Sequence, residues 1–383
     1  MGLLAVVVGL GACSGTDDEG TDEAVLVGSP SDSATSDDQT RGNQTGTDEP
    51  STDEPSAPAS PTVDTTVADG FTTPWGIAFL PDGTALVSER DTAAIKAVSG
   101  DGRVTTVGRV PGVNPSSEGG LLGLAVAPGQ RDPVWVYAYY SGANDNRVVR
   151  MSYDGDRLGR PQLVLDGIPM SDFHNGGRVE FGPDGMLYIS TGDATEGGNA
   201  TDPDSLGGKI LRVTPAGEPA PGNPTAGSPV WTSGHRNVQG IAWDDEDRLW
   251  ASEFGQDTWD ELNAIEPGNN YGWPDVEGKA DEPGATNPQV QWRPEAASPS
   301  GVAFASGALW MAGLRGERLW RMEVAGGAVT GQPRAFLTEE YGRLRTVVAA
   351  PDGSLWLSTS NTDGRGNPRD GDDKILRLDV GAR

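Results

Sequence analysis

The sequence predicts an all-β chain, a six-bladed β-propeller over residues 68–383 preceded by a disordered acidic tether. Three observations carry that expectation. One phrase recurs about six times between Trp75 and Val380: an apolar stretch, a turn, an alternating stretch, a Gly- and Asp-rich loop and a short strand. Self-similarity at a period of roughly 40–50 residues marks repeated β units, as in propeller blades. The turns are also chemically alike: Pro81-Asp82-Gly83, Pro183-Asp184-Gly185 and Pro351-Asp352-Gly353, with looser forms at Asp244–Asp247 and Ala305-Ser306-Gly307. Finally, Trp250, Trp310 and Trp356 hold the same place in the phrase, as side chains packing between blades would.

From the N-terminus, Leu3–Leu10 is an apolar run too short to span a bilayer but suited to the core of a signal peptide. It leads into Leu10-Gly11-Ala12-Cys13, which resembles a bacterial lipobox, although no Lys or Arg precedes Arg41. Residues 1–13 are therefore expected to be a signal segment. Cys13 is the expected lipid anchor, holding an extracytoplasmic protein at the cell membrane; the alternative is ordinary secretion. As the single cysteine it excludes an intrachain disulfide. Residues 14–67 are rich in Ser, Thr, Asp, Glu, Gly and Pro and nearly lack large apolar side chains. Such a segment cannot bury enough surface to offset chain entropy, which predicts a disordered tether extended by its own charge. The net charge of -28 argues against nucleic acid as a partner.

Blade starts are placed at Gly76, Leu122, Arg178, Gly240, Gly301 and Thr346. Second strands are expected at Ala85–Ser88, Leu187–Ser190, Leu249–Ser252, Leu309–Met311 and Leu355–Ser358. Closing strands are expected at Ile95–Val98, Val148–Met151, Ile210–Val213, Leu262–Ile265, Leu319–Met322 and Ile375–Leu378. The first two strands of a phrase form a hairpin, so the start of one and the end of the other share an end. Loops before every first strand and after every second strand must then collect on one face.

The residues hardest to explain as packing lie in those loops. Glu118-Gly119-Gly120 precedes blade 2, Phe173–Arg178 precedes blade 3, Gly234–Gly240 precedes blade 4 and Tyr341–Arg345 precedes blade 6. Gly192-Asp193, Glu253–Gln256 and Gly313–Arg315 follow second strands. An acidic chain thus gathers Arg236, Arg315, Arg343 and Arg345 at one end, which suits a small polyanionic ligand. In extended chain Arg343 and Arg345 point the same way. Both histidines, His174 and His235, belong to this face. His174 has Asp193 on the same blade and end to fix its tautomer, as a general base would need. His235 reads better as packing. A second cluster runs Asp260-Glu261-Leu262-Asn263, Asn270–Pro274 and Asp281. It offers either calcium ligands or ordinary turn chemistry. No zinc-spaced Cys/His group and no glycine-rich phosphate loop before a helix occurs.

Together these segments, with Arg343-Leu344-Arg345, resemble the glucose/sorbosone dehydrogenase family of soluble quinoprotein glucose dehydrogenases and aldose sugar dehydrogenases. The resemblance runs in order from Phe71 to Leu378. It implies a six-bladed propeller holding pyrroloquinoline quinone (PQQ) and calcium, a sugar substrate and an external electron acceptor. By resemblance His174 takes the proton of the anomeric hydroxyl while hydride passes to the quinone, and Asp193 orients His174. Arg236 and Asn237 would hold the quinone, and Glu118, Arg315, Arg343 and Arg345 would contact the cofactor. One calcium would meet main-chain carbonyls of Gly255 and Gln256, and a structural calcium would lie at Glu261, Tyr271 and Asp281.

Departures fall beside the cofactor and at the sugar subsite. Arg315 stands where the family has a lysine, Glu118 where it has a glutamine, and Phe173 where an aspartate helps to bind glucose. Gln256 replaces a proline, and Phe254 a polar residue. A broad aldose or another alcohol is therefore expected rather than glucose itself. Two other readings are a propeller that lost PQQ and binds carbohydrate or protein, and a calcium-dependent hydrolase or lactonase. The second would want carboxylates along the channel, where this sequence offers arginines.

Overall fold

The computed structural model describes residues 24–26, 60–129 and 132–381. Cys13, its apolar run and most of the acidic segment lie outside the described residues. Six antiparallel sheets follow one another along the chain. Blade 1 comprises Pro74–Phe79, Ala85–Glu89, Ala94–Val98 and Val104–Arg109, and blade 2 comprises Leu121–Val126, Val134–Ser141, Asn146–Tyr153 and Gln162–Ile168. Blade 3 comprises Val179–Phe181, Leu187–Ser190, Ile210–Val213 and Val230–Thr232. Blade 4 comprises Val238–Trp243, Leu249–Glu253, Asp260–Ile265 and Val290–Trp292. Blade 5 comprises Pro299–Ala305, Ala308–Gly313, Arg318–Ala325 and Ala328–Phe336. Blade 6 comprises Leu344–Ala349, Leu355–Thr359 and Ile375–Asp379, with its fourth strand from the other end of the chain.

That fourth strand is Thr62–Ala68, with Thr62 opposite Asp379 and Ala68 opposite Ile375. It ties the N-terminal side of the propeller to the last blade and closes the ring. The boundary expected at residue 68 therefore falls too late, and Thr62–Val67 belong to a blade rather than to the tether. Val25–Leu26 also pair, with Gln291 and Val290, and Ala24 packs into the core between blades 4 and 5. The strands expected to close each blade are third strands; a fourth lies outside each of them.

One register repeats around the ring. Leu86, Tyr137, Tyr188, Trp250, Trp310 and Trp356 on second strands oppose Ala78, Ala125, Glu180, Ala242, Ala303 and Val348 on first strands. The large member reaches the next blade, with Tyr137 edge-on to Phe181, Tyr188 to Trp243 and Trp356 to Phe79. The three tryptophans are buried as expected, at 0, 0 and 5 % exposure. Such rings dominate the burial that holds wedge-shaped sheets together.

Nearer the axis the first strands approach so closely that side chains are excluded. A Cβ on Gly123 would lie 2.3 Å from Gly177 O, and the Gly123 N–H donates to that same oxygen at 3.0 Å. Ser88, Ser190 and Ser252 donate from second strands to the next blade's Leu122, Val238 and Ser300 carbonyls at 2.5, 2.9 and 2.5 Å. These hydroxyls satisfy backbone oxygens that no strand partner reaches. The result is a stiff ring whose loops present the side chains described next.

Candidate active site

A cavity of about 680 Å³ opens at the end where the loops before first strands and after second strands collect. Glu118, His174, Arg236, Gly255, Gln256, Arg315, Arg343 and Arg345 all line it, as hairpin geometry predicted. Arg343 and Arg345 are nearly buried, with side chains 10 and 8 % exposed. Both face Asp363, whose Oδ2 accepts from Arg343 Nε and Nη2 at 3.0 Å and lies 3.7 Å from Arg345 Nη2. Burial alone would raise the Asp363 carboxyl; the two guanidiniums hold it below its ordinary value. Arg345 remains under-paired. It donates to Gln239 Oε1 at 3.3 Å, and its Nε has no partner among the described residues. Burial pulls this guanidinium down from its ordinary value, so a further anion in the cavity would stabilise it.

Arg236 adds a third inward charge, held by Gln256 Oε1, Phe254 O and the face of Trp273. Arg315 sits at the rim, 57 % exposed and 3.1 Å from Glu295. Glu118, which the sequence placed beside a polyanion, is paired: Arg365 lies 2.9 Å from its Oε1, and the His174 backbone N–H donates to Oε2 at 3.2 Å. Asn237 is fully buried behind the wall. Its Oδ1 accepts from Gly176 N and Gln239 Nε2, while its Nδ2 is unpartnered among the described residues.

His174 Nδ1 lies 2.8 Å from Asp193 Oδ1. His174 has a left-handed backbone, φ 58°, which costs energy for a residue with a Cβ and is tolerated where the surroundings enforce it. Gly192 provides the room: a Cβ there would stand 1.9 Å from His174 O. Asp193 is 1 % exposed and is fixed on every side. Its Oδ1 also accepts from Thr195 N and its Oδ2 from Trp273 Nε1, both at 2.8 Å, while its own N–H donates to Arg236 O. An ionised Asp193 requires the proton on His174 Nδ1, leaving Nε2 as the acceptor. His235 is fully buried between Glu253 and Thr232 and stacks on Tyr271, which makes it the packing histidine the sequence suggested.

Of the expected second calcium cluster, Glu261 and Tyr271 line one small cavity. Among the described residues no group of three or more His, Cys, Asp or Glu is arranged to hold a metal. Glu261 is buried and accepts from Gly278 N and Asn263 Nδ2. The Tyr271 hydroxyl bonds Ala264 O and Glu266 N, and Asp281 is exposed. Glu253 is buried near Glu261; burial and that neighbouring charge push Glu261 up. At the other expected calcium position, Gly255 N donates to Asp260 and Gln256 N to Glu277, which fixes the two peptides. Burial pushes Asp260 itself up to about 7.

Asp363 and Arg365 were not singled out by sequence, and Asp260 and Trp273 entered only within the second cluster rather than as parts of this cavity. Asp363 and Arg365 follow the second strand of blade 6, where the hairpin rule places loops of this face. Trp273 joins Asp193 across 80 residues, which no spacing reveals.

Comparison with known proteins agrees with this geometry. The family model described as glucose/sorbosone dehydrogenase matches residues 71–376. The PQQ-bound aldose sugar dehydrogenase of Streptomyces coelicolor superimposes with a TM-score of 0.82 at 58 % identity, covering 84 % of this chain and 99 % of that one. The aldose sugar dehydrogenase YliI of Escherichia coli is 30 % identical over 80 % of this chain and 92 % of its own. Quinoprotein glucose dehydrogenase B of Acinetobacter calcoaceticus is 32 % identical over 55 % of this chain and 51 % of its own.

Proposed function

The chain belongs to the glucose/sorbosone dehydrogenase family, and on that premise we propose that it oxidises an aldose or related alcohol at the anomeric hydroxyl with PQQ as cofactor. The observation that carries this is the arginine-lined cavity with His174 and Asp193 in its wall. PQQ is a flat tricarboxylate. The under-paired Arg345, its neighbour Arg343 and the inward Arg236 fit such a group.

When bound, PQQ supplies a two-electron acceptor for the substrate hydride. The chain's own groups supply the rest. His174 Nε2 accepts the hydroxyl proton, and Asp193 stabilises the imidazolium so formed. Arg236 places a positive charge at the cavity wall, which would stabilise negative charge on a bound acceptor. Calcium is part of the proposal, held by backbone at Gly255 and Gln256, with a structural ion at Glu261. There it would add fixed positive charge and relieve the repulsion between Glu253 and Glu261. Phe254 lines the cavity and exposed Phe173 lies against the cavity-lining Arg365, so both offer apolar faces rather than a carboxylate to bind the sugar, which supports a broad aldose specificity.

His174→Ala tests the assignment. The variant should bind PQQ as the parent does and lose aldose-dependent dye reduction by about a hundredfold or more. Parental turnover in that variant would remove His174 as the base.

A further inference from the structure

We propose that Trp273 sets the proton affinity of His174 by acting on Asp193. Its kinetic consequence rests on the function proposed above, while its proton chemistry does not. The indole Nε1 donates to Asp193 Oδ2 at 2.8 Å, and Oδ1 faces Thr195 N and His174 Nδ1, each at 2.8 Å. With Asp193 only 1 % exposed, water hardly competes for either oxygen. A buried carboxylate divides its charge among its donors, and each donor that stabilises the anion weakens its hold on the imidazolium. The indole therefore moderates the pull of Asp193 on the His174 proton.

Trp273 is well placed to do this. Its backbone N–H is anchored on Gly234 O at 3.0 Å, and its ring lies 5.5 Å from the Arg236 guanidinium carbon. One side chain from blade 4 thus touches both the carboxylate behind the proton acceptor and a cation of the cavity wall. Besides Asp193, the charged groups around His174 are Glu118, its partner Arg365, and Arg236. Trp273→Phe keeps all of them and keeps a ring beside Arg236. The N–H is lost together with part of the indole's volume, and Asp193 Oδ1 remains held by Thr195.

The chain has two histidines, so ¹⁵N-histidine NMR of the PQQ-free protein resolves the titration of His174 from that of buried His235. In Trp273→Phe the His174 midpoint should rise by about half a unit to one unit, a three- to tenfold gain in proton affinity. In an Asp193→Asn background the same substitution should leave the midpoint unmoved. In the PQQ-loaded enzyme the acidic limb of kcat/KM should move to higher pH, with PQQ affinity unchanged. The parent offers a check without substitution, since the Trp273 indole N–H resonance should shift with the His174 midpoint. An unchanged or lowered midpoint, a shift that persists without the Asp193 charge, or an indole that ignores the titration would each overturn the inference. Absence of sugar oxidation would instead count against the proposed function and leave the NMR result standing.

Discussion

Asp363→Asn removes the one negative charge that two nearly buried arginines share, at almost constant volume. Asp363 is 2 % exposed as a side chain, 3.0 Å from Arg343 and 3.7 Å from Arg345. At an effective dielectric near 20, each contact is worth roughly 5 kcal/mol before desolvation. Desolvation offsets much of that, and breaking a buried pair from one side typically costs about 3–5 kcal/mol net. Asparagine keeps an oxygen for the Arg365 backbone N–H, now taken by Asp363 Oδ1 at 2.9 Å, but turns its NH2 toward the Arg343 donors, so the middle of that range is expected, about 4 kcal/mol. For a domain of this size that is a fall in Tm of roughly 5–10 °C. The sign with pH follows from the depressed carboxyl. Its contribution is present at neutral pH, above the unfolded value, and is lost as pH falls through the lower folded value. Thermal melts of parent and variant at pH 7, with and without PQQ, measure the effect. The carboxylates of PQQ should replace the missing charge, so PQQ should raise the variant's Tm by more than the parent's. A PQQ-free variant that melts within about 1 °C of the parent, or one that gains less from PQQ, would refute the reasoning.

Three further outcomes are expected. Arg343→Ala with Arg345→Ala should weaken PQQ binding by about ten- to a hundredfold or more, from the loss of charge-assisted bonds; equilibrium titration reads it, and unchanged affinity would remove the arginines from the cofactor site. Glu180 is half-buried and stands among Ala78, Ala125, Ala242, Ala303 and Val348 in the repeating register, and its desolvation there pushes its carboxyl up to about 7 despite Arg178. Its folded value exceeds its unfolded one, so its contribution is full at acid pH and lost as pH rises from about 4.5 through about 7. Glu180→Gln should accordingly reduce the loss of Tm between pH 5 and pH 8, and an identical loss would contradict the burial argument. Deleting residues 1–61 costs the outlying Val25–Leu26 pair and Ala24 and should lower Tm by a few degrees, whereas deleting 1–68 also removes the strand that closes blade 6 and should lower it sharply; equal melts would show that the strand does not hold the ring.

The face of the propeller was legible because hairpin geometry is periodic. Once first and second strands were phased, Glu118, His174, Arg236, Gln256, Arg315, Arg343 and Arg345 had to share an end, and they do. The outer strands were not legible because they alternate weakly. Val104–Arg109 and Thr62–Ala68 are largely exposed and carry few large apolar residues, so the composition of Thr62–Val67 reads as tether. Partnerships across the ring were not legible for another reason. Asp363 with Arg345 and Trp273 with Asp193 depend on which loops meet in space, and residue type does not say which carboxylate an arginine will find. Glu261 and Asp281 show the converse: grouped as one cluster by sequence, one is buried beside Glu253 and the other faces solvent.

The central claim is that this cavity holds PQQ for the oxidation of a sugar. Titrating the full-length protein with PQQ in calcium, scored by dye reduction against a panel of aldoses, tests it most directly. Saturable dye reduction that requires both PQQ and an aldose is the predicted result. Failure of PQQ to bind, with no dye reduction at any concentration, would contradict the account.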